Sequence, residues 1–315
     1  MNILVTGGAG FIGSHVCRVL LERGDSLVCV DNFDDYYDPE IKQRNVARLN
    51  DFAEFIMKEG NVCWDGVPHL LLKFSIDAVI HLAALPGVRA SVKRPFDYYE
   101  TNLMGTLNIL EAMKEAGITR MVFASTSSVY GNQATTSTPL VETTPTDNPL
   151  APYPASKRAA ELLCHAYYHQ FGIQSTCLRF FNVYGPAGRP DMMPYKVIDA
   201  ITNDKEITLF DGGDMWRDWT YIDDIVYGVV AALDNPLGYE IINLGRGKSE
   251  RMSDFVTICE NIIGKRAIVK DVPAPKTEPK VTYCDNSKAR RLLGFEPAVD
   301  LPEGLYKTWE WYRGM

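Results

Sequence analysis

The chain opens with Met1-Asn-Ile-Leu-Val-Thr-Gly-Gly-Ala-Gly-Phe-Ile-Gly13, and this stretch constrains the fold more than any other. Asn2–Thr6 reads as a buried strand, and Phe11–Arg23 reads as a helix that Gly24 stops. Between them Gly7, Gly10 and Gly13 recur every third residue. Such a turn needs glycine for three reasons: a tight bend, room for a pyrophosphate against the backbone, and close helix–strand packing. The free N–H groups of the helix start then offer an anion site. Asp31 ends a second strand, Ser26–Val30, at the distance where a carboxylate meets an adenosine ribose. It would accept the ribose hydroxyls and repel a 2′-phosphate, which favours NAD over NADP. Glycine spacing alone also fits a plain strand-to-helix turn. The flanking strand, the helix and the acid together favour the dinucleotide.

The alternation continues. Asp77–Leu82, Met121–Ala124 and Gln174–Phe180 read as strands, and Tyr98–Ala116 and Ser156–Phe171 as helices. This rhythm predicts an α/β fold, a doubly wound parallel sheet with helices on both faces. After Tyr184 the texture changes to short elements broken at Gly185–Asp191, Asp211-Gly-Gly213, Asn235-Pro236 and Pro273–Pro279. The Asp271–Lys280 loop is long enough for a binding loop, and equally consistent with a plain surface loop. Residues 1–180 are expected to hold the dinucleotide, with a segment returning near 220–245. Residues 181–315 are expected to form a smaller α/β domain.

A net charge of −8 argues against nucleic acid as a partner, because phosphate backbones need a basic face. No apolar stretch is long enough to span a bilayer and the N-terminus lacks a signal-peptide pattern, so the expectation is a cytoplasmic chain without a membrane partner. The seven cysteines show no metal-type pairing and sit mostly in apolar runs, as reduced core residues do. His165 and His169 are four apart, but the glutamate of a zincin motif is missing, so no metal is expected.

Tyr153-Pro-Ala-Ser-Lys157 carries the chemistry. A spacing of four places phenol and ammonium on one helix face, one turn apart. Lowering a tyrosine from about 10 to about 7 takes roughly 4 kcal/mol. An ammonium about 5 Å away supplies roughly 3.3 kcal/mol at an effective dielectric near 20. The expectation is therefore a phenol that Lys157 brings towards ionisation, ready to take a hydroxyl proton as hydride leaves the same carbon. A hydroxyl partner should come from Ser125-Thr-Ser-Ser-Val-Tyr-Gly131, at the carboxyl end of a strand. Spacing alone does not choose among these hydroxyls. A merely exposed helical pair and a merely polar loop are the bland alternatives.

Taken together, Gly7–Gly13, Tyr153-x-x-x-Lys157 and Asp285-Asn-Ser-Lys-Ala-Arg-Arg-Leu-Leu-Gly-Phe295 resemble the extended short-chain dehydrogenases/reductases that act on nucleotide sugars. The resemblance covers nearly the whole chain. Within it, Asp31–Pro39, His81–Ser91 and Arg179–Met192 look most like UDP-glucuronate 4-epimerases. The resemblance implies a Rossmann sheet with a smaller substrate domain, and NAD as the cofactor. It assigns Gly7, Gly10, Phe11, Ile12, Asp31, Asn32, Leu82, Ala83, Ala84 and Asn102 to NAD, beside Tyr153 and Lys157. It makes Thr126 the catalytic hydroxyl. Dehydratases of the family carry Asp-Glu at the next two positions. Here Ser127 and Ser128 stand there, and elimination has no proton shuttle.

The implied reaction is 4-epimerisation of UDP-glucuronate through a 4-keto sugar that turns over before hydride returns. Neutral groups, Thr126, Ser127, Ser128 and Asn182, would hold the carboxylate in the sugar plane. Typical uronate epimerases carry threonine where this chain has Asn182, and neutral-sugar epimerases carry asparagine, so a UDP-glucose 4-epimerase stays open as the alternative. A non-catalytic NAD-binding protein on the same fold is a further one. Arg89, Arg189 and Arg217 match family arginines, Arg89 and Arg217 near the diphosphate. Each of those two also fits a surface salt bridge. Phe210, on the strand Ile207–Phe210, would wall the uracil. The resemblance also implies a homodimer through the Tyr98–Ala116 and Ser156–Phe171 helices.

Overall fold

The computed structural model describes residues 1–64 and 66–314. The early strands are apolar on both faces, because both faces are covered. In β1 (Asn2–Thr6), Ile3 and Val5 enter one core and Leu4 the opposite one. β2 (Ser26–Asp31), β3 (Phe55–Glu59), β4 (Ala78–His81), β5 (Arg120–Thr126) and β6 (Gln174–Phe180) follow. The chain then runs through β7 (Asn182–Tyr184), β8 (Glu206–Phe210) and β9 (Trp216–Tyr221) before β10 (Tyr239–Leu244) returns to the large sheet.

That sheet has the order β3-β2-β1-β4-β5-β6-β10, parallel throughout. Parallel neighbours need crossovers, and these bury the faces. Phe11–Glu22 and Ile222–Asp234 cover one core, and Gly105–Ala116 and Pro152–Phe171 the other. The doubly wound α/β fold expected from the sequence is the one observed. Its strand order reverses between β1 and β4, and the crevice at their carboxyl ends is where such sheets bind ligands.

Two small sheets lie in the later chain. In one, β9 pairs with β7 and β13 (Val281–Thr282) in parallel and with β11 (Ser249–Arg251) antiparallel. In the other, β8 pairs with β12 (Ile268–Val272).

Several boundaries differ from the sequence reading. The helix expected from Ser156 begins at Pro152, whose missing N–H is no loss in a first turn. Tyr153 therefore stands in that first turn. The helix expected from Tyr98 starts at Pro95 and widens into a π-turn over Glu100–Met104. β5 runs on to Thr126, which places that hydroxyl at the strand's end.

Candidate active site

A cleft of about 1150 Å³ opens over the carboxyl ends of β1, β4 and β5. The glycines form its floor. Gly7 has φ +72°, and a Cβ there would lie 2.7 Å from the Ala83 nitrogen. A Cβ on Gly13 would lie 2.2 Å from the Gly7 carbonyl oxygen. Loop and helix therefore touch through backbone alone. No side chain among the described residues caps the Phe11–Glu22 helix, so its first N–H groups are free for an anion.

Gly7, Gly10, Phe11, Ile12, Asp31, Asn32, Leu82, Ala83 and Ala84 all line this cleft. Asn102 does not. It is fully buried in the π-turn, where its amide accepts from the Leu85 nitrogen and donates to the Leu85 carbonyl and the Ser156 hydroxyl. It braces the wall behind the cleft through Leu85, which does line it.

Thr126, Tyr153 and Lys157 converge on the same cleft from β5 and the Pro152–Phe171 helix. The electrostatics differ from the expectation. Burial pushes the Tyr153 phenol up, while a hydrogen bond with Thr126 and the charge of Arg189 pull it back. Burial also lowers the Lys157 ammonium to about 8. Both groups are desolvated, and desolvation favours the neutral form of each. The groups that pull Tyr153 back are Thr126 and Arg189 rather than Lys157, and burial outweighs them. Lys157 Nζ lies 4.1 Å from the centre of the Phe123 ring and has no hydrogen-bond partner among the described residues. A buried ammonium with three idle donors, beside a glycine loop, fits a ligand that brings hydroxyl acceptors, as a dinucleotide ribose does.

Sequence reasoning missed what holds this trio. Glu161, one turn beyond Lys157, accepts from Arg179 Nε and Nη2, each at 2.8 Å, and from the Ser125 hydroxyl at 2.6 Å. The buried set locks β5, β6 and the catalytic helix together. A glutamate four residues after a catalytic lysine was the available signal. His81 was missed too. It sits between the Thr6 and Thr106 hydroxyls, and burial, with Lys157 nearby, pushes it down to about 3, so the ring is neutral.

The other half of the cleft carries Arg89, Ser127, Ser128, Asn182, Arg189, Phe210 and Arg217. Its arginines already have partners. Arg189 makes a two-pronged contact with Asp191 at 2.9 and 2.6 Å. Arg89 Nε and Arg217 Nη2 both reach Glu278, at 3.3 and 3.1 Å. Glu278 belongs to the loop whose length had suggested a binding role, and that loop does border the cleft. Arg89 also lies over the Phe210 ring, 5.3 Å from its centre.

Residues 3–245 match the model of the NAD dependent epimerase/dehydratase family. The chain is 44% identical to a UDP-glucuronate 4-epimerase of Thermodesulfobacterium geofontis over 98% of its own length and 95% of that protein. Its structure is similar to that of UDP-glucuronic acid 4-epimerase from Bacillus cereus in complex with UDP-glucuronic acid and NAD, with TM-score 0.94 and 38% identity over 100% of this chain and 99% of that one. A UDP-glucose 4-epimerase from Thermotoga maritima, with UDP-glucose, matches with TM-score 0.91 and 31% identity over the same shares of the two chains.

Proposed function

The chain belongs to the NAD dependent epimerase/dehydratase family, and from that premise we propose that it is an NAD-dependent 4-epimerase interconverting UDP-glucuronate and UDP-galacturonate. The observation that carries the reading is the convergence of Thr126, Tyr153 and Lys157 on the cleft floored by the glycine loop. NAD, when bound, supplies a hydride acceptor at C4 of the sugar and then a hydride donor. The glycine-loop N–H groups, Asp31, Asn32 and Leu82–Ala84 would hold it, and the idle Lys157 ammonium would meet its ribose.

Tyr153 acts as the phenolate, the form that the positive charges of Lys157 and of an oxidised nicotinamide would favour against burial once the cofactor is bound; it takes the O4 proton and later returns it, with the Thr126 hydroxyl orienting the phenol. The proton therefore stays within one hydrogen bond of O4 while the 4-keto sugar turns. Arg89 and Arg217 exchange Glu278 for the diphosphate, and Phe210 walls the uracil. A 4-keto uronate is a β-keto acid and would lose CO2 if its carboxylate left the sugar plane. Thr126, Ser127, Ser128 and Asn182 offer neutral contacts that keep it there. Residues 1–180, with the segment near 220–245, make up the dinucleotide part, and residues 181–315 the nucleotide-sugar part. The exposed Phe96, Met104, Leu162 and Phe171 on the paired helices suit a homodimer, which sedimentation would test.

The direct experiment incubates the purified protein with UDP-glucuronate and with UDP-glucose and resolves the products by NMR. Conversion of UDP-glucuronate to its C4 epimer is expected. Faster turnover of UDP-glucose would reassign the substrate, the alternative that Asn182 keeps in view.

A further inference from the structure

Strand β9 turns its side chains alternately to two faces, and the polar groups of those faces are satisfied unequally. On one face stand Asp218 and Thr220. Asp218 Oδ1 accepts from the Arg246 nitrogen at 2.8 Å and from the Thr220 hydroxyl at 3.1 Å, and its Oδ2 from the Gly247 nitrogen at 2.9 Å. The other face carries Arg217 and Trp219, and both line the cleft. Arg217 is paired with Glu278. Trp219 is 2% exposed, and its indole Nε1 has no hydrogen-bond partner among the described residues. The ring is clamped: its centre lies 4.9 Å from that of Phe255, and Tyr184 meets it edge-on at 6.5 Å. A ring held in this way keeps its N–H where it is. An indole is a donor only, so the missing partner is an acceptor. The Nε1 groups of Trp309 and Trp311 are unpaired as well, but neither residue lines the cleft.

The strand register narrows down the acceptor. Trp219 stands opposite Asn182 of β7, about 5 Å away, and two residues along its own strand from Arg217, about 7 Å. With Arg217 on the diphosphate and Asn182 on the sugar, the indole N–H falls between them, at the phosphate that joins nucleotide to sugar. Phosphate oxygens only accept, whereas a sugar hydroxyl also brings a proton that needs its own partner. We propose that Trp219 Nε1 donates to an oxygen of the β-phosphate, which makes Trp219 a substrate-binding residue and a fixed point about which the 4-keto sugar turns. The inference rests on the nucleotide-sugar reading of the cleft. A neutral donor suits this position. Glu278 already balances Arg89 and Arg217, and a further cation would hold the departing product as firmly as the substrate. An N–H adds direction without adding charge.

The test measures binding of UDP, UMP and UDP-glucuronate to the wild-type and Trp219→Phe proteins by calorimetry. Phenylalanine keeps an aromatic ring against Phe255 and Tyr184 and removes the N–H. UMP lacks the β-phosphate. UDP binding is expected to weaken about 10-fold, the worth of one hydrogen bond to a charged group, while UMP binding stays within about 2-fold. UDP-glucuronate should weaken by the same factor as UDP. A loss shared equally by UDP and UMP would report damaged packing and overturns the proposal. Unchanged UDP binding with weakened UDP-glucuronate binding overturns it too, because the contact would then be to the sugar. Should the phenylalanine variant not fold, benzothienylalanine in place of Trp219 keeps the indole outline and exchanges the N–H for sulfur. It must weaken UDP and spare UMP in the same way, and failure to do so counts equally against the contact. A wild type that binds neither nucleotide sinks the nucleotide-sugar reading of the cleft itself.

Discussion

The two sides of the cleft are prepared for their ligands in opposite ways. On the glycine-loop side the donors wait: the first N–H groups of the Phe11–Glu22 helix are uncapped, and Lys157 Nζ is buried without a partner. On the sugar side the cations are already paired, Arg189 with Asp191, and Arg89 and Arg217 with Glu278. The first arrangement stores unfavourable desolvation that a ligand relieves, and so favours a tightly held, resident group. The second swaps one anion for another, and so favours a ligand that comes and goes. A cofactor regenerated in every cycle and a substrate released in every cycle need that division.

Four variants would break or sharpen the contrast. The largest effect is expected at the seam, where Tyr153→Phe should lower kcat by about 1000-fold while NAD and UDP-sugar binding persist. Stopped turnover together with lost NAD would make the phenol part of the cofactor wall instead. Next, Gly13→Ala drives a methyl to 2.2 Å from the Gly7 carbonyl oxygen. Since neither backbone can yield, stability should fall by about 3 kcal/mol or more, and copurified NAD should be lost. Denaturant melts and the 260 nm absorbance of the purified protein would read both.

A smaller effect is expected on the exchanging side. Arg217→Met should raise KM for the UDP-sugar about 30-fold and leave bound NAD unchanged, the worth of one charge-assisted contact. An equal loss of NAD would erase the distinction between the two sides.

The smallest effect is the most diagnostic, because its sign is opposite to intuition. Lys157 has a folded value of about 8, below its ordinary 10.5. The unfolded chain holds this proton more firmly, so burying Lys157 destabilises fully below about pH 8, and the penalty fades as pH rises towards 10.5. Lys157→Met should therefore raise the Tm of the NAD-free protein at pH 7, by about 5 °C. The gain should shrink at pH 10. A Tm that falls at pH 7 would mean that the ammonium is not stranded.

Reading the sequence went furthest where one element carries its own instructions. The glycine triplet announced the strand–turn–helix, and the four-residue spacing put Tyr153 and Lys157 on one helix. It went astray where a neighbour decided. Nothing local says that Asn102 spends its amide on Leu85 and Ser156, so its place among the cofactor contacts rested on resemblance alone. At Tyr153 the spacing to Lys157 was legible, whereas the burial that opposes the charged form of each group was not, because burial is a property of the packed fold. Glu161 was overlooked although it shares the catalytic helix, because its partner Arg179 lies on another strand.

The order of apolar runs and glycines by itself determined a doubly wound parallel sheet with a dinucleotide loop at its switch point, since backbone geometry and strand–helix rhythm are local properties. Which cations stand idle and which are paired was decided only in three dimensions. Glu278 meets Arg89 and Arg217, and Lys42 meets Asp31, because packing brings distant segments together and removes the water that would otherwise have satisfied each group alone.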